Sequence, residues 1–263
     1  MRSVRTIGLG IVACLDAGCV RATGPGALER LGSEDTATIC PYVLSDAIEA
    51  VRRADDEEDV PALVGAIRWA SAHPGVACNP VVTARQLWQT SIRSLARIGT
   101  TDANIGIVVS LEGSHRPGSV HDRHNAACRL ETRTALRILD EGAPYPPAVV
   151  DALLDWYGAG AEDCSVDMHR ERVAQLVLAS GDPGTRTLAR RFPPDREAGR
   201  CAPGWLLSDI FEQVSVEMRE EIISQIRGSD DPERRNRVAS AVQVTSGPLR
   251  EALAGIACAE AIE

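Results

Sequence analysis

His115, His121, His124 and Cys128 are the one constellation in this chain whose residue types and spacing suit a transition metal. Imidazoles at 121 and 124 followed by a thiol at 128 can offer nitrogen and sulfur ligands to zinc. All four stand in or beside Gly113 to Asn125, a stretch rich in Gly, Pro, Ser and His that reads as an inserted loop. Cys128 also belongs to a series of cysteines that recurs along the chain, and one sulfur cannot serve a metal and a disulfide together. The expectation is therefore no resident metal or other cofactor, with metal binding or metalloenzyme chemistry in the His115 to Cys128 loop as the alternative.

Other chemistries lack their residues. His73 and His169 are isolated and read as helix-end or surface histidines. No G-x-S-x-G elbow and no G-x-G-x-x-G turn occurs. The chain has no lysine, so it has no phosphate-loop, Schiff-base or kinase-type lysine. Carboxylates are many without forming a distinguishable catalytic pair, and the acidic runs 55 to 59 and 230 to 233 read as solvated turns. Trp69, Trp88, Trp156 and Trp205 fall at helical spacing, which suits packing better than a binding face. The chain is not expected to be an enzyme.

The elements that would position these residues read as helices. Of 263 residues 44% are apolar but only 3% aromatic, so the core is built from Ala, Leu, Val and Ile, as suits closely packed helices. The expected class is all-α. A net charge of −9 argues against nucleic acid or an anionic lipid surface as the principal partner, because both reward a basic face.

The segment from Cys128 to Gly160 shows the local grammar. A helix over Leu130 to Asp140 carries Ala135, Leu136, Ile138 and Leu139 on an apolar face and stops at Gly142. Pro146 and Pro147 then open a second helix with Val149, Val150, Leu153, Leu154 and Tyr157 at three- and four-residue spacing, ended by Gly158 and Gly160. The same pattern predicts helix pairs at 42–54 and 58–72, 81–98 and 102–112, 166–180 and 183–192, 204–214 and 216–227, and 231–245 and 247–260.

Residues 1–19 read as an export signal, with Arg2 and Arg5 before the apolar run Ile7 to Leu15 and small residues before Cys19. This segment resembles the lipobox of bacterial lipoproteins, which implies lipidation of Cys19; Asp16 stands where that pattern has an aliphatic residue. Residues 20–39 read as a flexible tether and 40–263 as the helical domain. The only membrane attachment expected is the N-terminal lipid, at the periplasmic face or outer cell envelope. Six cysteines remain beyond the signal: Cys40, Cys78, Cys128, Cys164, Cys201 and Cys258. In an oxidising compartment they suggest three disulfides, whose pairing the spacing leaves open.

Cys40, Cys78, Cys128, Cys164 and Cys201 each precede the first helix of a pair, at intervals of 38, 50, 36 and 37 residues. A period near 37 residues with two helices per period marks a helical solenoid. Ala174, Val177, Gly181, Asp182 and Pro183 resemble the A-x-x-L-x-x-x-G-D-P pattern of HEAT repeats, and Leu95 with Gly99 makes a partial second match. The resemblance implies a right-handed, armadillo-like α-solenoid of about six pairs, and hence a non-catalytic interaction scaffold that binds a protein or peptide on its face. Loop cysteines in such a stack favour Cys40 with Cys78, Cys128 with Cys164, and Cys201 with Cys258.

Overall fold

A computed structural model describes residues 42–112, 122–159, 169–191, 202–227, 238, 241–243 and 245–260, and among these described residues the fold is all-α. The helices are α1 (Tyr42–Arg53), α2 (Val60–Ala72), α3 (Ala84–Ile98), α4 (Thr101–Glu112), α5 (Asp122–Gly142), α6 (Pro147–Ala159), α7 (Arg170–Ala179), α8 (Gly181–Arg190), α9 (Ala202–Phe211), α10 (Val216–Arg227) and α11 (Gly247–Glu260). They fall into two compact units, Met1–Ser94 and Leu95–Glu263, with the division inside α3.

In the first unit, α1 and α2 are separated by the acidic turn, where Glu57–Asp59 form one 3-10 turn. Asp59 Oδ2 accepts from the backbone N–H groups of Asp55 and Asp56 at 3.2 and 3.4 Å, so this run closes its own turn. Pro61 occupies the first turn of α2, where its missing N–H costs no helical bond. α3 buries Leu87, Trp88 and Ile92 together with Thr90 and Ser91. The two hydroxyls donate to carbonyls four residues back, at 2.7 and 2.9 Å, which satisfies them inside an apolar face. Ser94 Oγ instead donates to Val51 O at 2.7 Å and joins α3 to α1.

In the second unit the helices pack two places apart. α4 touches α6, α6 touches α8 and α8 touches α10, while α5 touches α7 and α7 touches α9; α9 also touches α11, which lies beyond the helical residues 238 and 241–243 and so is more than two places along. Two rows result, cross-linked by successive helices such as α7 on α8. The stack is not strictly regular, because α6 also reaches α9.

Tight turns hold the rows together. Gly99 and Gly181 take φ of +68° and +67°, a left-handed conformation that glycine adopts without the Cβ penalty, and each ends a helix. Thr100 Oγ1 then accepts from Ala103 N–H at 3.3 Å to start α4, where the repeat pattern has Asp. Gly184 lies so close to the end of α7 that a Cβ there would come within 2.6 Å of Val177 O.

The observed helices follow the expected pairs closely, with one correction. α5 begins at Asp122, so the last residues of the expected loop Gly113 to Asn125 are helical and the helix is longer than Leu130 to Asp140. Of the expected helix at 231–245, only 238 and 241–243 are described, and they are helical. No helix among the described residues is long and apolar enough to cross a membrane.

Candidate functional site: turns and arginine rungs

The metal-like constellation is only partly placed. His124 and Cys128 lie four residues apart on α5, but their side chains, and all of His115 and His121, lie outside the described residues. Among the described residues no group of three His, Cys, Asp or Glu side chains could hold a metal ion. Cys19, Cys40, Cys164 and Cys201 also lie outside them, as does the side chain of Cys258 on α11. Cys78 is described and is disulfide-bonded, with its partner outside the described residues.

Both isolated histidines stand at helix ends. His73 follows α2, its ring stacked 4.7 Å from Trp69 and its Nδ1 2.9 Å from Trp69 O. His169 precedes α7, is buried, and lies 6.4 Å from the Trp156 ring. Of the tryptophans, Trp88 and Trp156 are core residues, whereas Trp205 is 38% exposed.

The arrangement that spacing did not reveal is a set of arginine–carboxylate rungs joining helices of the same row. In the α5–α7–α9 row, Arg172 Nε donates to Asp140 Oδ2 at 2.8 Å and Arg170 pairs with Asp209 at 2.9 Å. In the α6–α8–α10 row, Arg186 Nε donates to Glu221 Oε1 at 2.7 Å. Arg191, just beyond α8, donates through Nε to Asp151 at 2.7 Å and through both terminal nitrogens to Asp155. The hydrogen bond from Arg186 holds the Glu221 carboxyl below the usual carboxylate range, and Glu221 in turn raises the Arg186 guanidinium. Asp155 and Asp151 raise Arg191 in the same way, against the opposing effect of its partial burial. Partners 32 to 40 residues apart recur at the repeat period, a signal present in the sequence but hidden among many charges.

A second node joins two turns. The Tyr145 hydroxyl donates to Leu139 O and so caps the end of α5, in space that exists because residue 142 is glycine: a Cβ there would meet the hydroxyl at 2.6 Å. Burial first, and the Asp140 carboxylate second, push this phenol up to about 12. The backbone N–H of Tyr145 donates to Ser180 Oγ at 3.3 Å, while that hydroxyl donates to Leu176 O at 2.8 Å. The apolar seam around Tyr145, lined by Val108, Leu139, Val149, Leu153 and Leu176, is filled and leaves no room for a ligand. The rungs and the Tyr145 node can hold helices in register; what they offer a partner is the outer surface of the two rows. Comparison with known protein families, curated proteins and solved structures finds no match.

Proposed function

We infer that this chain is an exported, lipid-anchored interaction scaffold, whose second unit is a right-handed HEAT-like α-solenoid that binds a protein or peptide on one of its two helix rows. The observation that carries the reading is the row packing: from α4 to α10 each helix touches the one two places along, as stacked helix pairs do, and arginine rungs tie successive members of a row. Such a stack presents a long preorganised surface, which lowers the ordering cost of binding an extended partner. The signal-like segment ending at Cys19 supports export and a lipid anchor. This assignment of function rests on the architecture alone.

The test is site-specific photocrosslinking in the native host. Probes are placed at Asp102, Asp155 and Glu220 on the α4–α6–α8–α10 row and at Arg137, Glu171 and Trp205 on the α5–α7–α9 row, all exposed. The scaffold reading expects the same protein attached at two or more positions of one row and at none of the other. Discrete attachment at no position overturns it. Stoichiometric zinc or iron in the purified chain, lost on replacing His121 and His124, would establish the metal-binding alternative instead.

A further inference from the structure

We propose that the corner of the first unit between α2 and α3 is a docking site for an acidic peptide segment, whose carboxylates pair with Arg68 and Arg85 and whose apolar side chain packs on Val81. The charge distribution carries this. Val60 to Ser94 contains no Asp or Glu, although the chain holds 37 of them in 263 residues. The arginines of that stretch, Arg68, Arg85 and Arg93, are all exposed, and among the described residues none of their guanidinium groups makes an ion pair or hydrogen bond. The ion pairs of this unit lie elsewhere, with Arg52 and Arg53 both on Glu49. A guanidinium fork left open in this way matches a carboxylate with two parallel hydrogen bonds.

The acidic turn that could neutralise this corner adjoins the start of α2, whereas α2 ends at Ala72, about 18 Å along its axis and beyond the screening length of about 8 Å in physiological salt. At that far end Val76 N–H donates to His73 O at 3.1 Å and Ala84 N–H donates to Val76 O at 2.9 Å, so the close of α2, a small hairpin and the first turn of α3 are fastened together. Arg68 and the partly exposed Trp69 stand in the last two turns of α2, and Arg85 follows Ala84. Ala77 bridges Thr83 across the hairpin, and Val81 at its tip is 72% exposed. That tip is fixed: Asn79 Oδ1 accepts from the N–H groups of Val81 and Val82, each at 2.8 Å, and Cys78 N–H donates to Val82 O at 2.8 Å. An apolar side chain held out on an ordered tip loses little freedom when a partner covers it.

A peptide suits this corner better than a larger polyanion. Nucleic acid or an anionic bilayer brings a dense array of negative charge against a chain of net charge −9, and is repelled by the rest of the surface. A short segment with a few carboxylates around one apolar residue meets the open arginines and Val81 alone. The site lies in the first unit and stands whether or not the helix rows of the second unit bind a partner.

The test is fluorescence anisotropy of the full chain with a labelled peptide of alternating Glu and Leu, against the same peptide with Gln for Glu, in physiological salt. The Glu peptide is expected to bind about tenfold more tightly, the effect of two partly exposed ion pairs. The double reversal Arg68→Glu with Arg85→Glu removes that advantage, and Val81→Asp weakens binding of both peptides. Arg133→Glu with Arg137→Glu, on exposed side chains of the second unit, alters net charge equally and leaves binding unchanged. Circular dichroism melts check that each variant folds; should the double reversal not fold, Arg85→Gln is expected to weaken the Glu peptide about threefold. Equal affinity for the two peptides, or equal loss in both double variants, overturns the proposal. So does binding to phosphatidylglycerol vesicles through Arg68 and Arg85 without binding of the peptide, which makes the corner a lipid site. Self-association of the chain that the Arg68→Glu and Arg85→Glu reversal abolishes, again without peptide binding, overturns it in favour of a second copy as the occupant.

Discussion

The backbone N–H of Tyr145 and the hydroxyl of Ser180, thirty-five residues apart, meet at 3.3 Å and fasten the α5–α6 turn to the end of α7. Both residues are buried. Replacing Ser180 with alanine leaves a buried N–H without its acceptor, a change that costs about 1–3 kcal/mol. Urea denaturation of S180A is expected to show a lower midpoint with an unchanged slope; an unchanged midpoint would mean the turns are not coupled through this bond.

The Tyr145 phenol provides a pH signature. Its folded pKa, about 12, lies above the ordinary value of 10.0, so the stability linked to its proton is fully present below about pH 10 and is lost as pH rises toward 12. Absorbance titration of tyrosinate is expected to show a late-ionising phase whose amplitude falls in Tyr145→Phe. The phenylalanine variant is also expected to lose about 1 kcal/mol at neutral pH through the bond to Leu139 O.

Two glycine substitutions should have opposite signs. Gly65 is exposed within α2 and a Cβ there meets nothing within 4 Å, so Gly65→Ala is expected to stabilise by about 0.5–1 kcal/mol. At Gly184 the added carbon would press on Val177 O at 2.6 Å and Ser180 Cβ at 2.8 Å, neither of which is a flexible chain end. Gly184→Ala is expected to destabilise by about 1–3 kcal/mol despite alanine's better helix propensity. Thermal melts of the two variants check both signs.

The rungs are partly exposed and individually modest. A double-mutant cycle on Arg172 and Asp140, whose side chains are 36% and 31% exposed, is expected to give a coupling of about 0.5–1 kcal/mol that shrinks in molar salt. A coupling of zero would leave apolar packing alone to hold α7 on α5.

Much of this fold is legible in the sequence because its punctuation is local. Gly99, Gly142 and Gly181 end helices where stop signals stand, and Pro61 and Pro147 sit in the first turns of α2 and α6. The start of α5 is not legible, because the histidines and asparagine that suggest a loop are also tolerated in a helix once its later turns are anchored by buried Ala135, Leu136 and Leu139. The rungs are hidden for a different reason. A carboxylate and an arginine some 35 residues apart are unremarkable until two helices of a row are set side by side, and nothing local marks Asp140 or Glu221 as the partner chosen. Nothing local marks Tyr145, whose hydroxyl closes the end of α5 while its N–H reaches Ser180, thirty-five residues on.

Because every rung uses a guanidinium and the chain has no lysine side chain, none of these inter-helix contacts contains a primary amine. Acylating and carbamylating reagents, which dismantle lysine-based surface networks, find nothing to react with at the rungs. The register of the rows is thereby chemically insulated from amine-directed modification.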